Sequence, residues 1–147
     1  MSLKEILENV ELFDGLTADE IDAVRSLCRK RRLHVNEIIT EQGDPGDELF
    51  IISEGFVEVT LEGTPASPAK VVINLGTGQT IGEMSLVDQG PRSATLKAIS
   101  DPTILQVIRH DEFDVLCQEN NRIGYIVMRN MAADLSFRIR RQNLIIT

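Results

Sequence analysis

Short runs of alternating or continuous apolar residues, separated by turn residues, fill the middle of the chain. The turn signals lie at residues 44–47, 54–55 and 77–78, where Asp, Pro and Gly favour tight reversals. The runs predict eight strands, at residues 32–35, 37–41, 48–53, 56–61, 71–75, 80–82, 93–99 and 103–109. Residues 64–68 have the composition of a hairpin loop. Because most of these strands follow one another without a helix between them, they predict a mainly β fold, an antiparallel β-jelly roll.

The start of the chain has the pattern of a short amphipathic helix. Thr17 and Glu20 have the spacing of a capping box, and Leu16 and Ile21 have the spacing of its hydrophobic staple. The apolar positions then recur at helical spacing, at Ile21, Val24 and Cys28. This periodicity predicts a helix that ends near Arg29. The basic run at residues 29–32 is interpreted as the solvated end of that helix, where cations favour the helix dipole.

The end of the chain predicts two more helices, a short one at residues 111–119 and a long one at about residues 121–145. The long helix carries an apolar stripe made of Ile123, Val127, Met131 and Leu135. A stripe this regular must pack on the roll or on a second copy of the helix. Residues 144–146 are apolar and would be exposed without a cover. We therefore expect one domain over residues 1–147, with helical ends at about 1–30 and 111–147 and a β-roll at about 31–110.

The charge balance narrows the classes of partner. The chain has 15 basic and 23 acidic residues, a net charge of −8. That excess argues against broad electrostatic binding to nucleic acid or to an anionic membrane. From Asn121 onward there are five arginines and one acidic residue, so this segment carries +4 and the remainder −12. A basic helix packed near an acidic body explains that asymmetry without a charged partner.

Membrane and secreted classes are also disfavoured. The longest apolar runs have four residues, whereas a spanning helix needs about 18 or more. Residues 1–5 lack the apolar core of a signal peptide. The two cysteines, Cys28 and Cys117, form no CxxC pair and are interpreted as small apolar core residues on helices. This cysteine usage predicts a reducing, cytoplasmic setting.

Residues 81–96 are the segment whose chemistry suggests a site. A strand runs into Gly82, a short helix is predicted after it, and a second strand resumes near Arg92. The first N–H groups of such a helix are free to bind an anion, and an arginine fork matches two phosphate oxygens. Glu83 adds an acceptor for hydroxyl groups. Phosphate plus hydroxyl predicts a sugar phosphate or nucleotide, although a structural ion pair between Glu83 and Arg92 explains these residues equally well.

This segment resembles the phosphate-binding cassette of cyclic nucleotide-binding domains, the type found in catabolite activator protein and in protein kinase A regulatory subunits. The motif residues are Gly82-Glu83-Met84-Ser85-Leu86 and Arg92-Ser93-Ala94. Gly43, Gly46 and Gly55 match the glycine framework that precedes the cassette in the family. Ile81 stands where the family usually has an aromatic residue. The resemblance covers about residues 13–141 and implies a β-jelly roll with flanking helices.

The resemblance also implies a role for each site residue. Glu83 accepts a hydrogen bond from the ribose 2′-hydroxyl, and Arg92 pairs with the cyclic phosphate. The anion site is completed by Gly82, the backbone N–H groups near Met84, Ser85 and Ala94, and the Ser93 hydroxyl. The apolar walls around the sugar and base are Val59, Val72 and Ile81. The base is covered from the last helix, near Leu135 and Arg138, although a solvated surface position explains Arg138 as well.

The inventory of reactive residues argues against an enzyme. A metal site is not expected, because His34 and His110 lie far apart in the sequence and metal-binding jelly rolls need clustered histidines. Ser85 is not in a G-x-S-x-G elbow. Glu83 and Asp88, five residues apart on a short helix, do not face each other as a carboxylate pair would.

Two functions of different classes remain. The first is a regulatory module that binds a cyclic nucleotide and signals through movement of the C-terminal helix. The alternative is a ligand-free structural or protein-interaction domain that keeps the roll. For the first, cAMP is favoured over cGMP because Ser93 stands where cGMP-preferring members of the family tend to carry threonine. We expect no nucleic acid or membrane partner through this domain, and the C-terminal helix leaves open a homodimer.

Overall fold

Short capped helices precede the strands. The computed structural model describes residues 1–61, 65–66, 70–88 and 90–141. Helix α1 spans Leu3–Glu8, a 3-10 turn follows at Glu11–Phe13, and α2 spans Ala18–Arg25. The expected capping box is present at α2: Thr17 Oγ1 accepts from the Glu20 backbone N–H at 3.2 Å, and the Glu20 carboxylate accepts from the Thr17 N–H at 2.8 Å. These two bonds satisfy free donors and set the start of α2.

The end of α2 differs from the prediction. The helix stops at Arg25 instead of near Arg29, and Cys28 lies in the turn that follows it. Cys28 nevertheless packs against the same apolar cluster as Val24. The helical spacing of apolar residues therefore extends to Cys28, three residues beyond the end of the helix, and this is why the helix was predicted too long. The basic run at residues 29–32, interpreted as a helix end, belongs to the first strand.

Eight strands in the described residues form two antiparallel four-stranded sheets, which confirms the predicted jelly roll. The strands are β1 Arg29–Leu33, β2 Ile38–Thr40, β3 Glu48–Glu54, β4 Val57–Leu61, β5 Val71–Leu75, β6 Thr80–Ile81, β7 Thr95–Ala98 and β8 Thr103–Arg109. The strand orders are β1-β8-β3-β6 and β2-β7-β4-β5. The first strand begins three residues before its predicted start at residue 32. The predicted hairpin loop at residues 64–68 lies mostly outside the described residues.

Two helices follow the roll. Helix α3 spans His110–Glu119 and α4 spans Asn121–Arg141. The predicted extension of α4 to residue 145, and the expected exposure of residues 144–146, lie outside the described residues. Among the helices that the structure describes, none combines the length and apolar character that a bilayer crossing requires.

The apolar core has two parts, which meet across β3. The alternating side chains of β3 point to opposite faces of its sheet. Phe50 and Ile52 join the cluster between the two sheets, whereas Leu49 and Ile51 join the cluster under the helices. The α4 stripe lies in the helical cluster: Ile123, Val127 and Met131 are buried, and Leu135 packs against them partly buried. The stripe therefore packs within this chain.

Polar contacts tie the first part of α4 to α2 and to the segment between α1 and α2. Asn130 Nδ2 donates to the backbone oxygens of Leu12 at 2.9 Å and Asp14 at 2.8 Å. Arg122 forms an ion pair with the buried Glu20 and donates to the Gly15 oxygen at 3.3 Å. These contacts hold the N-terminal segment and α4 together beside one end of the roll.

Candidate functional site

The residues expected to bind an anion lie on a tight turn that is fastened to β3. Gly82 has a φ of 82° and precedes a 3-10 helix at Glu83–Leu86. The buried Ser85 donates its hydroxyl to the Gly82 oxygen at 2.6 Å and contacts the Glu48 oxygen at 3.3 Å. The predicted short helix is therefore present, as a single turn. Ser85 serves as its anchor and is not exposed as a nucleophile.

Arg92 is a buried cation with few contacts. Its side chain is 9% exposed, and Nη2 donates to the Glu48 backbone oxygen. Its Nε is buried and has no hydrogen-bond partner among the described residues. Two backbone bonds hold the residue in place: the Arg92 N–H donates to the Asp44 oxygen at 2.7 Å, and the Gly43 N–H donates to the Arg92 oxygen at 2.8 Å. The loop before β3 therefore positions the arginine.

The burial of Arg92 favours an acceptor beside its guanidinium. Burial lowers the pKa of Arg92 below its usual value, and the negative charges of Asp47, Glu48 and Asp44 oppose that shift. Arginine still remains protonated at neutral pH, because its usual pKa is far above 7. A buried guanidinium with a free donor is an unfavourable arrangement unless an acceptor binds it.

Glu83 provides an opposite charge in the same cleft. Its side chain is half-buried, and its carboxylate has no hydrogen bond or ion pair within the described part of the chain. In particular, no ion pair joins it to Arg92, which donates to the Glu48 carbonyl instead. The alternative of a structural Glu83–Arg92 ion pair is therefore wrong. The Glu83 carboxylate and the Arg92 Nε–H therefore have no protein partner among the described residues.

The cleft lies between the roll, the N-terminal segment and α4, and has a volume of about 970 Å3. Ten of the twelve residues expected from the sequence line it: Val59, Ile81, Gly82, Glu83, Met84, Ser85, Arg92, Ser93, Ala94 and Arg138. Val72 and Leu135 do not. The structure thus brings to one place the residues expected to bind an anion, part of the expected apolar wall and one residue of the last helix.

Val72 is displaced from the cleft by the two-residue period of a strand. Residues directly opposite each other on paired strands share a face. Val59 pairs with Ile73, and Thr60 pairs with Val72. Since Val59 lines the cleft, Ile73 lines it too, and Val72 lies on the other face with 52% of its surface exposed. The expected wall position is therefore Ile73, one residue further along the strand.

The lining residues of α4 also differ from the expectation. Leu135 packs against the helical core, and the cleft is lined by Asn130, Met131, Asp134 and Arg138. Asp134 and Arg138 form an ion pair at 3.0 Å, one helical turn apart. The sequence also missed a lining from the N-terminal segment, made of Met1, Ile6, Asn9, Val10, Glu11 and Leu12. Local pattern carries no signal for that contact, since it depends on how α1 docks.

The side chains that could bind a metal ion do not cluster in the described residues, and the two cysteines are at least partly buried. Across the described ranges, no group of three or more His, Cys, Asp or Glu residues could hold a metal ion. Burial raises the pKa of both Cys28 and Cys117 to about 11, with Asp114 adding to the effect at Cys117. Both thiols are therefore protonated at neutral pH. Both cysteines pack against the helical cluster, although only Cys117 lies on a helix.

Comparisons with known proteins agree with the geometry. A family model described as a cyclic nucleotide-binding domain matches residues 30–120. The chain is 32% identical to the cyclic AMP receptor protein of Thermus thermophilus, over 90% of this chain and 59% of that protein. It is also 32% identical to a cAMP-dependent protein kinase regulatory subunit of Dictyostelium discoideum, over 87% of this chain and 38% of that protein. The chain thus spans only part of these relatives.

A solved structure shows the same architecture. The N-terminal domain of a transcriptional regulator from Streptomyces coelicolor aligns with a TM-score of 0.82 and 25% sequence identity. The alignment covers 96% of each chain. This likeness extends over the helical ends as well as the roll.

Proposed function

The chain belongs to the cyclic nucleotide-binding domain family, and we propose that it is a regulatory module that binds a 3′,5′-cyclic nucleotide in the cleft. The observation that carries this proposal is the pair of free charged groups there. Arg92 is buried with an unpartnered Nε, and Glu83 has no partner within the described residues. A cyclic nucleotide supplies an anionic phosphate for the first and a ribose hydroxyl for the second. Its base fits against the apolar walls.

Each part of the ligand is contacted by a different set of cleft residues. Arg92 binds the phosphate, together with the backbone N–H groups of Met84, Ser85 and Ala94 and the Ser93 hydroxyl. Glu83 accepts a hydrogen bond from the 2′-hydroxyl. Val59, Ile73 and Ile81 form the wall for sugar and base. Asp134 and Arg138 face the base from α4. This is a binding role without catalysis, because Ser85 is bonded to backbone oxygens and no thiol is activated.

We favour cAMP over cGMP as the ligand. Ser93 lines the cleft and directly follows Arg92 in the sequence. Members of the family that prefer cGMP tend to carry threonine at this position. Two of the relatives described above carry cAMP in their names. Both points support the preference for adenine.

We also propose that the signal leaves through α4. Met131, Asp134 and Arg138 line the cleft, so a ligand that contacts them stabilises one position of this helix. A homodimer through α4 would use its exposed face, which carries Tyr125 and Phe137, because the apolar stripe is already buried in the chain.

Calorimetric titration with cAMP and cGMP tests the binding proposal. Replacing Arg92 by alanine removes a charge-assisted contact in a desolvated cleft, which should cost about 2–4 kcal/mol, or tens- to several-hundred-fold in affinity. Arg32→Ala is the matched control, because Arg32 is an exposed arginine on β1. An Arg92→Ala variant that binds within a few-fold of the parent would contradict the assignment. Failure of the parent to bind either nucleotide would favour a ligand-free interaction domain.

A further inference from the structure

One aromatic ring in the roll lies against two arginines. Phe50, on β3, is 1% exposed. The Cζ atom of Arg92 is 5.1 Å from its ring centroid, and the Cζ atom of Arg31 is 5.7 Å from it. Both distances are inside the range of about 6 Å in which a cation is attracted to a ring face. Phe50 therefore contacts the guanidinium that faces the cleft and a second one from the edge strand β1.

Arg92 depends on this ring for its orientation. Its side chain makes one hydrogen bond, to the Glu48 oxygen, and Nε has none within the described residues. The carboxylates that act on its pKa do so as nearby charges. A guanidinium with a single hydrogen bond can rotate about it, and the flat face of Phe50 restricts that rotation.

Arg31 supports the same arrangement from outside the cleft. Its Nη2 lies 3.4 Å from the Glu48 carboxylate, and the backbone oxygen of Glu48 accepts from Arg92. Glu48 thus contacts both arginines, one with its side chain and one with its backbone. Its negative charge offsets Arg31, which would otherwise repel Arg92 across the ring.

We propose that Phe50 is a positioning residue that holds the Arg92 guanidinium ready for phosphate, with Glu48 and Arg31 completing the support. This inference rests on the proposed function, since it assigns a role toward the ligand of the same cleft. Phe50 does not line the cleft itself and acts through Arg92. Because Arg92 is then already ordered before the ligand binds, less conformational entropy is lost on binding.

The test compares two buried phenylalanines by calorimetric titration with cAMP. Phe50→Leu keeps an apolar side chain but removes the ring face, and affinity should fall about 3- to 30-fold. Phe113→Leu is the control: Phe113 is equally buried, lies in the helical cluster and contacts no arginine in the described ring–cation pairs. Its affinity should stay within about twofold of the parent, with a comparable loss of thermal stability. Equal affinity losses in both variants, or none in Phe50→Leu, would overturn the proposal.

A second readout is independent of ligand. The Nε–Hε resonance of Arg92 in an NMR spectrum, assigned with an Arg92→Lys variant, reports through its 15N relaxation how freely the guanidinium moves. Its order parameter should fall in Phe50→Leu and stay unchanged in Phe113→Leu, whereas loss of the ring current alone would shift the resonance without changing that mobility. If the parent binds no cyclic nucleotide, the proposed function fails while this measurement still decides whether Phe50 orients Arg92.

Arg31→Met extends the test to a half-exposed position. This variant should weaken cAMP binding about two- to fivefold and lower the order parameter of the same Nε–Hε group. If Phe50→Leu does not fold, Arg31→Met decides the question alone. An unchanged order parameter together with unchanged affinity would then overturn the proposal.

Discussion

The guanidinium of Arg92 occupies the space that a side chain at Gly82 would fill. A Cβ added at Gly82 would overlap Arg92 Nη1 and would lie 3.0 Å from the Glu48 oxygen, the acceptor of the arginine. Gly82 also has a φ of 82°, which side chains disfavour. The two ends of the proposed phosphate-binding motif, ten residues apart in the sequence, therefore pack against each other.

Gly82→Ala should abolish tight nucleotide binding, because the new methyl group displaces Arg92. Gly78→Ala is the control: Gly78 also lines the cleft and has a φ of 87°, but an added Cβ there meets nothing within 4 Å and does not approach Arg92. Both variants should lose about 1–2 kcal/mol of unfolding free energy from backbone strain. Only Gly82→Ala should lose about tenfold or more in cAMP affinity. Calorimetric scanning and titration measure the two effects, and equal affinities of the two variants would contradict the packing argument.

Much of the roll could be predicted from local pattern. The bounds of β5 and β8 match the predicted runs at residues 71–75 and 103–109. Both are β-branched stretches with turn residues at one end, Gly76 after β5 and Pro102 before β8, so the signal lies in the strand and its immediate neighbours. The start of β1 was missed, because Arg29 to Arg32 have no apolar alternation. Their pairing with β8 decides the structure, and that partner is distant in the sequence.

The positions of the cassette residues could be predicted for the same reason, whereas one expected wall residue, Val72, and one expected residue of the last helix, Leu135, do not line the cleft. Gly82, Glu83 and Arg92 belong to a contiguous motif. Choosing Ile73 over Val72 requires the register of β5 against β4. Choosing Asp134 over Leu135 requires the rotation of α4 about its axis. The register of a strand and the rotation of a helix are set by packing between elements that are distant in the sequence. The local pattern of a single sequence therefore does not predict them.

The proposed contact between Glu83 and the ribose 2′-hydroxyl can be tested with a modified ligand. Glu83→Ala should weaken cAMP binding about 3- to 30-fold, and the parent should show a similar loss with 2′-deoxy-cAMP. The two losses should not add, because each removes the same hydrogen bond. Glu83→Gln should be milder, since the amide oxygen still accepts. Asp88→Asn, which changes another carboxylate at the cleft, serves as the control. Fully additive losses would place the hydroxyl elsewhere.

Base preference should respond to the residue after Arg92. Ser93→Thr keeps the hydroxyl but restricts its rotamer, which favours a contact with the guanine amino group. One added hydrogen bond of about 1 kcal/mol should raise the ratio of cGMP to cAMP affinity about fivefold. Competitive titration of the two nucleotides measures that ratio in parent and variant. A parent that binds cGMP more tightly would reverse the assignment of cAMP.

The last prediction concerns how ligand binding reaches α4. The helix has a tied part and a responsive part. Asn130 and Arg122 fasten its first turns to the N-terminal segment, and Asn130 also marks the edge of the cleft. Beyond it, Met131, Asp134 and Arg138 line the cleft without such polar ties to the N-terminal segment in the described part of the chain. Saturating cAMP should therefore slow amide hydrogen exchange at residues 131–141 and leave residues 121–130 almost unchanged.

The size of the change follows from linkage, because ligand shifts a helix only as far as it binds one position better. A typical coupling of about 1–3 kcal/mol corresponds to exchange slowed about 5- to 150-fold. Asn130→Ala removes both side-chain bonds to the backbone at Leu12 and Asp14. In that variant the ligand-dependent protection should spread toward Asn121, since the first turns are then free to move. Equal protection with and without cAMP, in a protein shown to bind it, would mean that α4 is a fixed scaffold and that the signal leaves by another route.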